Sequence, residues 1–202
     1  LLKYAAEKTF GAADIIYAGD NAKWAKLANS LRLRLATRLK IKNPELYQQH
    51  IADALAKGVI AGNADNAIYK YSSSSPNEAP LYRATVTANR KDFALSQPFI
   101  ELLKGENNQL PAADPRLSIY ALKNNAGAYV GLPYGLTEGE AGKFSATQVS
   151  LPGTVYNAAN YGEVLMEYSE VAFLISEYNN WSQADYEKAE IDILSAYLPE
   201  KM

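Results

Sequence analysis

Tyrosine is the residue type best placed to do chemistry in this chain. The 202 residues include 15 Tyr, 5 Phe and 2 Trp. A tyrosine ring has a flat apolar face and a polar tip, so it can stack on a sugar ring while its hydroxyl hydrogen-bonds. Tyr69, Tyr71, Tyr82, Tyr129 and Tyr134 fall in stretches of irregular composition and are the candidate ligand-binding residues. The competing reading of each is structural: a ring whose hydroxyl ties a loop to a scaffold.

Other chemistries are poorly served. The chain has no cysteine, which excludes disulfides, thiolate zinc sites, iron–sulfur clusters and cysteine nucleophiles. His50 is the single histidine, so a multi-histidine metal site is excluded and a Ser-His-Asp triad is disfavoured. Beside Gln48 and Gln49 in a helical stretch, His50 reads as a structural residue. Gly142-Lys143 is followed by Phe144 rather than Ser or Thr, and Thr137 stands where a phosphate loop needs its first glycine. No G-x-S-x-G elbow occurs. Glu163, Glu167 and Glu170 could supply a glycosidase pair, but they lie among apolar residues at helical spacing, where carboxylates are solvated or salt-bridged. The chain reads as a non-enzyme with no catalytic residue, cofactor or metal.

Composition narrows the class. Hydrophobic residues make up 48% and charged residues 21%, as in a globular domain rather than a disordered chain. Twenty Lys and Arg against 22 Asp and Glu give a net charge of -2, which offers no bulk attraction to nucleic acid. No run of about 18 apolar residues is present to span a membrane as a helix. Charge is nevertheless segregated. Lys23, Lys26, Arg32, Arg34, Arg38, Lys40 and Lys42 cluster without an acid among them, whereas residues 163–192 are strongly acidic. The basic face is expected to pair in part with the acidic one, with Arg32 or Arg34 meeting Glu163 or Glu170.

The elements that must position the tyrosines are mainly helical. Asp20 or Asn21 can cap a helix over about 22–41, with Trp24, Leu27, Leu31, Leu35 and Leu39 on one face. Asn43-Pro44 starts a second helix and Gly58 stops it, giving a hairpin over 20–58. Residues 62–162 are loop-rich, with a helix near 92–104 and a strand-like piece over Leu117–Leu122. Tyr120, Tyr129, Tyr134, Phe144, Tyr156 and Tyr161 argue against disorder there. Val164, Tyr168, Val171, Ile175 and Tyr178 follow helical spacing and open a second hairpin over 163–198. The expected fold is one mainly α domain over 1–202, with tetratricopeptide-like helical hairpins supporting a loop-rich, tyrosine-rich face and little β. Leu1, Leu2, Ala5 and Ala6 look like a helix already under way, so the chain reads as a piece of a longer protein.

Six motifs occur in a specific order, the first of them in two parts. Asp14-Ile15-Ile16-Tyr17-Ala18-Gly19-Asp20 precedes Trp24-Ala25-Lys26-Leu27-Ala28-Asn29-Ser30-Leu31-Arg32-Leu33-Arg34. Then come Ala64-Asp65-Asn66-Ala67, Arg90-Lys91-Asp92-Phe93, Asp114-Pro115-Arg116-Leu117, Tyr129-Val130-Gly131-Leu132-Pro133-Tyr134-Gly135, and Tyr161-Gly162-Glu163-Val164-Leu165-Met166-Glu167-Tyr168. Together these strongly resemble the SusD/RagB family over nearly the whole chain. The resemblance implies a surface-exposed lipoprotein of the outer membrane of Bacteroidota, acting in polysaccharide utilisation and nutrient uptake. It implies a glycan ligand, or a peptide in some systems, and a SusC-like TonB-dependent transporter as partner. Membrane attachment would come from a lipid anchor outside this chain, and no chemistry would be done on the ligand. It places Trp24 in the scaffold rather than at the ligand. The alternatives are an oligopeptide-binding subunit of the same kind of importer and a helical-repeat protein-interaction module.

Overall fold

The computed structural model describes residues 11–106 and 112–197, the last six by backbone alone. The helical reading of Leu1–Ala6 and the end at Leu198 lie outside the described residues. The chain is mainly α, with helices α1 (Asn21–Thr37), α2 (Pro44–Lys57), α3 (Pro80–Tyr82), α4 (Gln97–Leu103), α5 (Leu117–Tyr120), α6 (Glu138–Ala141), α7 (Tyr168–Tyr178) and α8 (Gln183–Tyr197). Strands β1 (Ala67–Lys70) and β2 (Gly162–Met166) pair as a two-stranded sheet. Two compact units divide the chain. One takes the residues up to Lys70 and from Glu163 on, and the other takes Tyr71–Gly162.

The first unit is built on two helix pairs, α1 with α2 and α7 with α8, and α1 also packs on α7. The side chain of Asp20 accepts the Lys23 N–H at 3.0 Å to start α1, and Asn43 accepts the Leu46 N–H at 3.1 Å to start α2. The core joins Leu27, Leu33 and Ala36 of α1 to Tyr47, Ile51 and Ala54 of α2 and to Val171 and Ala172 of α7. Leu35, expected on the inner face, is 64% exposed. A strict four-residue step precesses about 40° per step on a helix of 3.6 residues per turn, so Leu35 has rotated away from the face that Leu27 buries.

Buried polar side chains lock this unit. Asn29 Nδ2 donates to the carbonyls of Lys57 and Gly58 at 3.3 and 2.8 Å, satisfying the end of α2 from across the hairpin. Ser30 Oγ accepts the Ile60 N–H at 2.9 Å and donates to the Lys26 carbonyl at 2.8 Å. Asn66 Oδ1 accepts the Tyr168 N–H at 2.7 Å and so ties the entry of β1 to the start of α7. The Asn-Ser and Asp-Asn pairs of the sequence motifs are therefore fastenings between elements. The helical series expected from Val164 begins instead at Tyr168. Val164 stands on β2, and Glu167 is still extended at φ -124°, ψ 164°.

Charge pairs cross the same unit. Arg34 forms a two-pronged pair with Glu170, and Lys40 meets Glu177 at 3.4 Å, so the basic helix pairs with the acidic hairpin. Arg32 turns to Asp53 at 2.6 Å and donates its Nε–H to His50 Nδ1 at 3.0 Å.

The second unit is short helices stitched by loops. Its small core is Ile100, Leu103, Leu117 and Ala121, with Leu95, Phe99, Tyr120 and Tyr129 packed on it. The helix expected near 92–104 occupies Gln97–Leu103, with Pro98 in its first turn. Leu117–Leu122 is not a strand: Leu117–Tyr120 is helical, and only Ala121 is extended, in a bridge to Pro152. Asp114 explains the difference. Its carboxylate accepts the Arg116 N–H at 2.8 Å and its carbonyl accepts the Leu117 N–H at 3.1 Å, with Pro115 between, as at a helix start.

Candidate functional site

The structure sorts the five candidate tyrosines by location. Tyr69 lies half-buried on β1, in the first unit. The other four lie in the second. Tyr71 sends its N–H toward the Tyr161 carbonyl at 3.5 Å, and Tyr82 closes α3 half-buried. Tyr129 packs on the Ile100 core with the Lys123 ammonium 5.6 Å above its ring. Tyr134 is open, 76% exposed, in the Pro133-Tyr134-Gly135 loop.

Close backbone approach presents this loop. Leu132 donates to the Leu95 carbonyl at 2.7 Å and accepts from the Gln97 N–H at 2.8 Å, while Val130 accepts from the Ser150 N–H at 2.7 Å. A Cβ on Gly131 would lie 2.3 Å from Gln97 Cα, so only glycine lets the loop pass there.

A second set of aromatic rings forms a row. The edge of Phe99 meets Tyr120 at 5.6 Å and 70°; Tyr120 stacks on Tyr156 at 5.1 Å and 20°; Tyr156 leans on Tyr161 at 5.3 Å and 49°. Gly153 makes the row possible. Its N–H donates to the Tyr120 carbonyl at 2.8 Å, and a Cβ there would stand 1.8 Å from the Ile119 carbonyl oxygen. The Tyr156 segment is thereby brought onto α5. Around the row, Thr85 Oγ1 donates to Asn157 Oδ1 at 2.7 Å and the Ala79 N–H donates to the Ala159 carbonyl at 2.7 Å.

The charge beside the row is fixed. Arg116 sits 5.9 Å from the Tyr120 ring and pairs with Asp114 at 2.7 Å. The hydrogen bond from Arg116 holds the Asp114 carboxyl below its ordinary range against the opposing effect of burial, and the same bond raises the Arg116 guanidinium. The row thus offers flat rings, phenol hydroxyls, side-chain amides and a permanent cation. This is equipment for binding by stacking and hydrogen bonding. Among the described residues no group of three or more His, Cys, Asp or Glu could hold a metal ion.

Tyr120, Tyr156 and Tyr161 were visible in the sequence as evidence of order but not as a set. Their pairing depends on Gly153 touching Ile119, a non-local contact that no spacing rule exposes. Arg116 was part of a motif, and its place over Tyr120 follows only from the α5 geometry. Trp24 is held in the scaffold, as expected: its indole N–H donates to Asp14 Oδ2 at 2.7 Å and its ring meets Tyr17 edge-on at 5.4 Å.

With the fold and the aromatic row in place, comparison with known proteins assigns the class. The SusD-like model described as starch-binding and associating with the outer membrane matches residues 2–192, and the chain belongs to that family. Among solved structures, a SusD homologue from Bacteroides uniformis is 23% identical, with a TM-score of 0.74 over 96% of this chain and 41% of that one. A chitin-binding SusD homologue from Flavobacterium johnsoniae is 22% identical, with a TM-score of 0.74 over 97% of this chain and 40% of that one. A protein described as chitin-binding is 23% identical, with a TM-score of 0.69 over 89% of this chain and 41% of that one. The chain therefore spans about two fifths of the length of the solved structures it matches. A search of curated sequences finds no match.

Proposed function

We propose that the chain is part of a non-catalytic glycan-binding protein of the outer membrane. The observation that carries this reading is the ring row from Phe99 to Tyr161, set in a chain of a family described as starch-binding. Two solved relatives are described as chitin-binding, which supports a polysaccharide ligand. Tyr71, Tyr82, Tyr129 and Tyr134 are the proposed ligand residues, extended by Tyr120, Tyr156 and Tyr161. Tyr69 stays in the proposal as a separate candidate on β1, and Tyr69→Ala tests it alone. The finer reading is a surface-exposed lipoprotein subunit that hands its glycan to a SusC-like TonB-dependent transporter, with tetratricopeptide-like hairpins as scaffold and the lipid anchor outside this chain.

Affinity electrophoresis through gels containing starch, soluble chitin derivatives or other polysaccharides tests the reading. Retardation by at least one glycan, reduced in Tyr134→Ala, is expected. Unretarded migration through every gel would overturn it.

A further inference from the structure

Among the described residues, two buried side-chain atoms have no hydrogen-bond partner: Asn29 Oδ1 in the first unit and Glu78 Oε2 in the second. Asn29 uses its amide nitrogen on two carbonyls, and its bare oxygen is neutral. Glu78 is the less favourable case. It is 5% exposed, and a carboxylate can accept about four hydrogen bonds. The structure gives it one, from Thr87 Oγ1 to Oε1 at 3.2 Å, long beside the usual value of about 2.8 Å for a hydroxyl donor. The three arginines of the second unit are committed elsewhere. Arg83 donates to the Pro76 carbonyl at 3.2 Å, Arg90 pairs with Asp92, and Arg116 pairs with Asp114. A buried charged acceptor this short of donors works against folding, so its presence needs another explanation.

Its place in the fold links it to the ring row. The segment that carries Glu78 is stitched to the segment that carries Tyr156 and Tyr161. The Tyr71 N–H is directed to the Tyr161 carbonyl at 3.5 Å, the Ala79 N–H donates to the Ala159 carbonyl at 2.7 Å, and Thr85 Oγ1 holds Asn157 Oδ1 at 2.7 Å. Thr85 and Thr87 lie on one π-helical turn over Arg83–Thr87. The turn that grips Asn157, next to Tyr156, therefore also grips Glu78. Turns of this kind recur at functional sites. Thr87 itself is exposed.

We propose that Glu78 is the specificity-determining acceptor of the glycan site, an inference that rests on the glycan reading above. A sugar docked at the Tyr156–Tyr161 end of the row would bring two adjacent donors to the carboxylate, either two ring hydroxyls or a hydroxyl and an acetamido N–H. One replaces the Thr87 hydroxyl on Oε1, which exchanges one donor for another. Thr87, already at the surface, swings outward, and the second donor meets Oε2. An ionised carboxylate only accepts, and hydrogen bonds to it are among the strong ones. The ligand class is therefore an uncharged glycan with neighbouring donors free. A uronate- or sulfate-bearing chain would meet like charge at the same point.

The test is isothermal titration of the 202-residue chain and its variants with malto-oligosaccharides, chito-oligosaccharides and oligogalacturonate, beside urea unfolding of each variant. Glu78→Gln keeps the size of the side chain and removes its charge. It is expected to weaken binding of the neutral oligosaccharide about tenfold or more, with an unchanged or higher unfolding midpoint. Thr87→Val removes the donor that competes with the sugar and is expected to bind no less tightly than the wild type. Oligogalacturonate is expected to bind at least about tenfold more weakly than the best neutral ligand. Wild-type binding that Tyr156→Ala weakens and Glu78→Gln leaves unchanged would overturn the role of Glu78 and leave the glycan reading standing. Equal binding of oligogalacturonate would overturn it too. So would a lowered midpoint in Glu78→Gln with binding lost equally in Thr87→Val, the mark of a scaffold contact. No binding of any oligosaccharide by the wild type would remove the glycan reading and this inference with it.

Discussion

Tyr156 lies almost flat on Tyr120, ring centroids 5.1 Å apart and planes 20° apart. This contact joins the end of α5 to the segment that follows Gly153 and sets the direction of the whole row. If stacking is what the ring contributes, Tyr156→Phe should retain stability, whereas Tyr156→Ala should cost about 1–3 kcal/mol. Urea unfolding of the two variants separates these outcomes.

Glycine substitutions probe the close approaches. Gly153→Ala would place a methyl 1.8 Å from a backbone carbonyl that cannot move aside, and a loss of about 2–4 kcal/mol is expected. Gly139→Ala, in α6, has nothing within 4 Å and should be neutral or slightly stabilising. Denaturant midpoints of both variants provide the comparison.

Asp14 makes acid stability testable. Burial pushes its carboxyl up, but the Trp24 indole and the N–H groups of Gly19, Ile16 and Tyr17 together outweigh it and hold the group at about 2, below the ordinary 3.8. A carboxyl depressed in the folded state stabilises above its unfolded value, and that contribution fades as pH falls from about 4 toward about 2. Asp14→Ala should therefore lower stability by about 1–2 kcal/mol at neutral pH, and by less at pH near 2. Thermal unfolding across that window checks the sign.

Arg34 and Glu170 connect α1 to α7, with side chains 29% and 37% exposed. Water screens a pair this open. A double-mutant cycle with Arg34→Met and Glu170→Gln should give a coupling of about 0.5–1 kcal/mol, smaller in high salt. The rest of the interface is held by the core around Leu33 and Val171.

Local signals accounted for much of the scaffold. Asp20, Asn43-Pro44 and Gly58 mark helix ends by chemistry that acts within a few residues, and the structure uses each of them. The pairing of Arg34 with Glu170 was legible because charge segregated along the chain. Signals failed where periodicity competed with pairing. Val164 has helical spacing, yet its segment joins β1, and Leu117–Tyr120 alternates like a strand while Asp114 accepts the Arg116 and Leu117 N–H groups in the turn that leads into a helix. The candidate site was half legible. Residue type pointed to tyrosine, but the row depends on Gly153 meeting Ile119, a contact across more than thirty residues.

Isothermal titration of the chain with malto- and chito-oligosaccharides tests the glycan reading most directly, with Tyr134→Ala and Tyr156→Ala of the second unit and Tyr186→Ala of the first titrated alongside. Saturable heat with at least one oligosaccharide is expected, weakened about tenfold by the first two substitutions and unchanged by the third. No heat with any oligosaccharide, or binding indifferent to Tyr134 and Tyr156, would contradict a glycan site on these tyrosines.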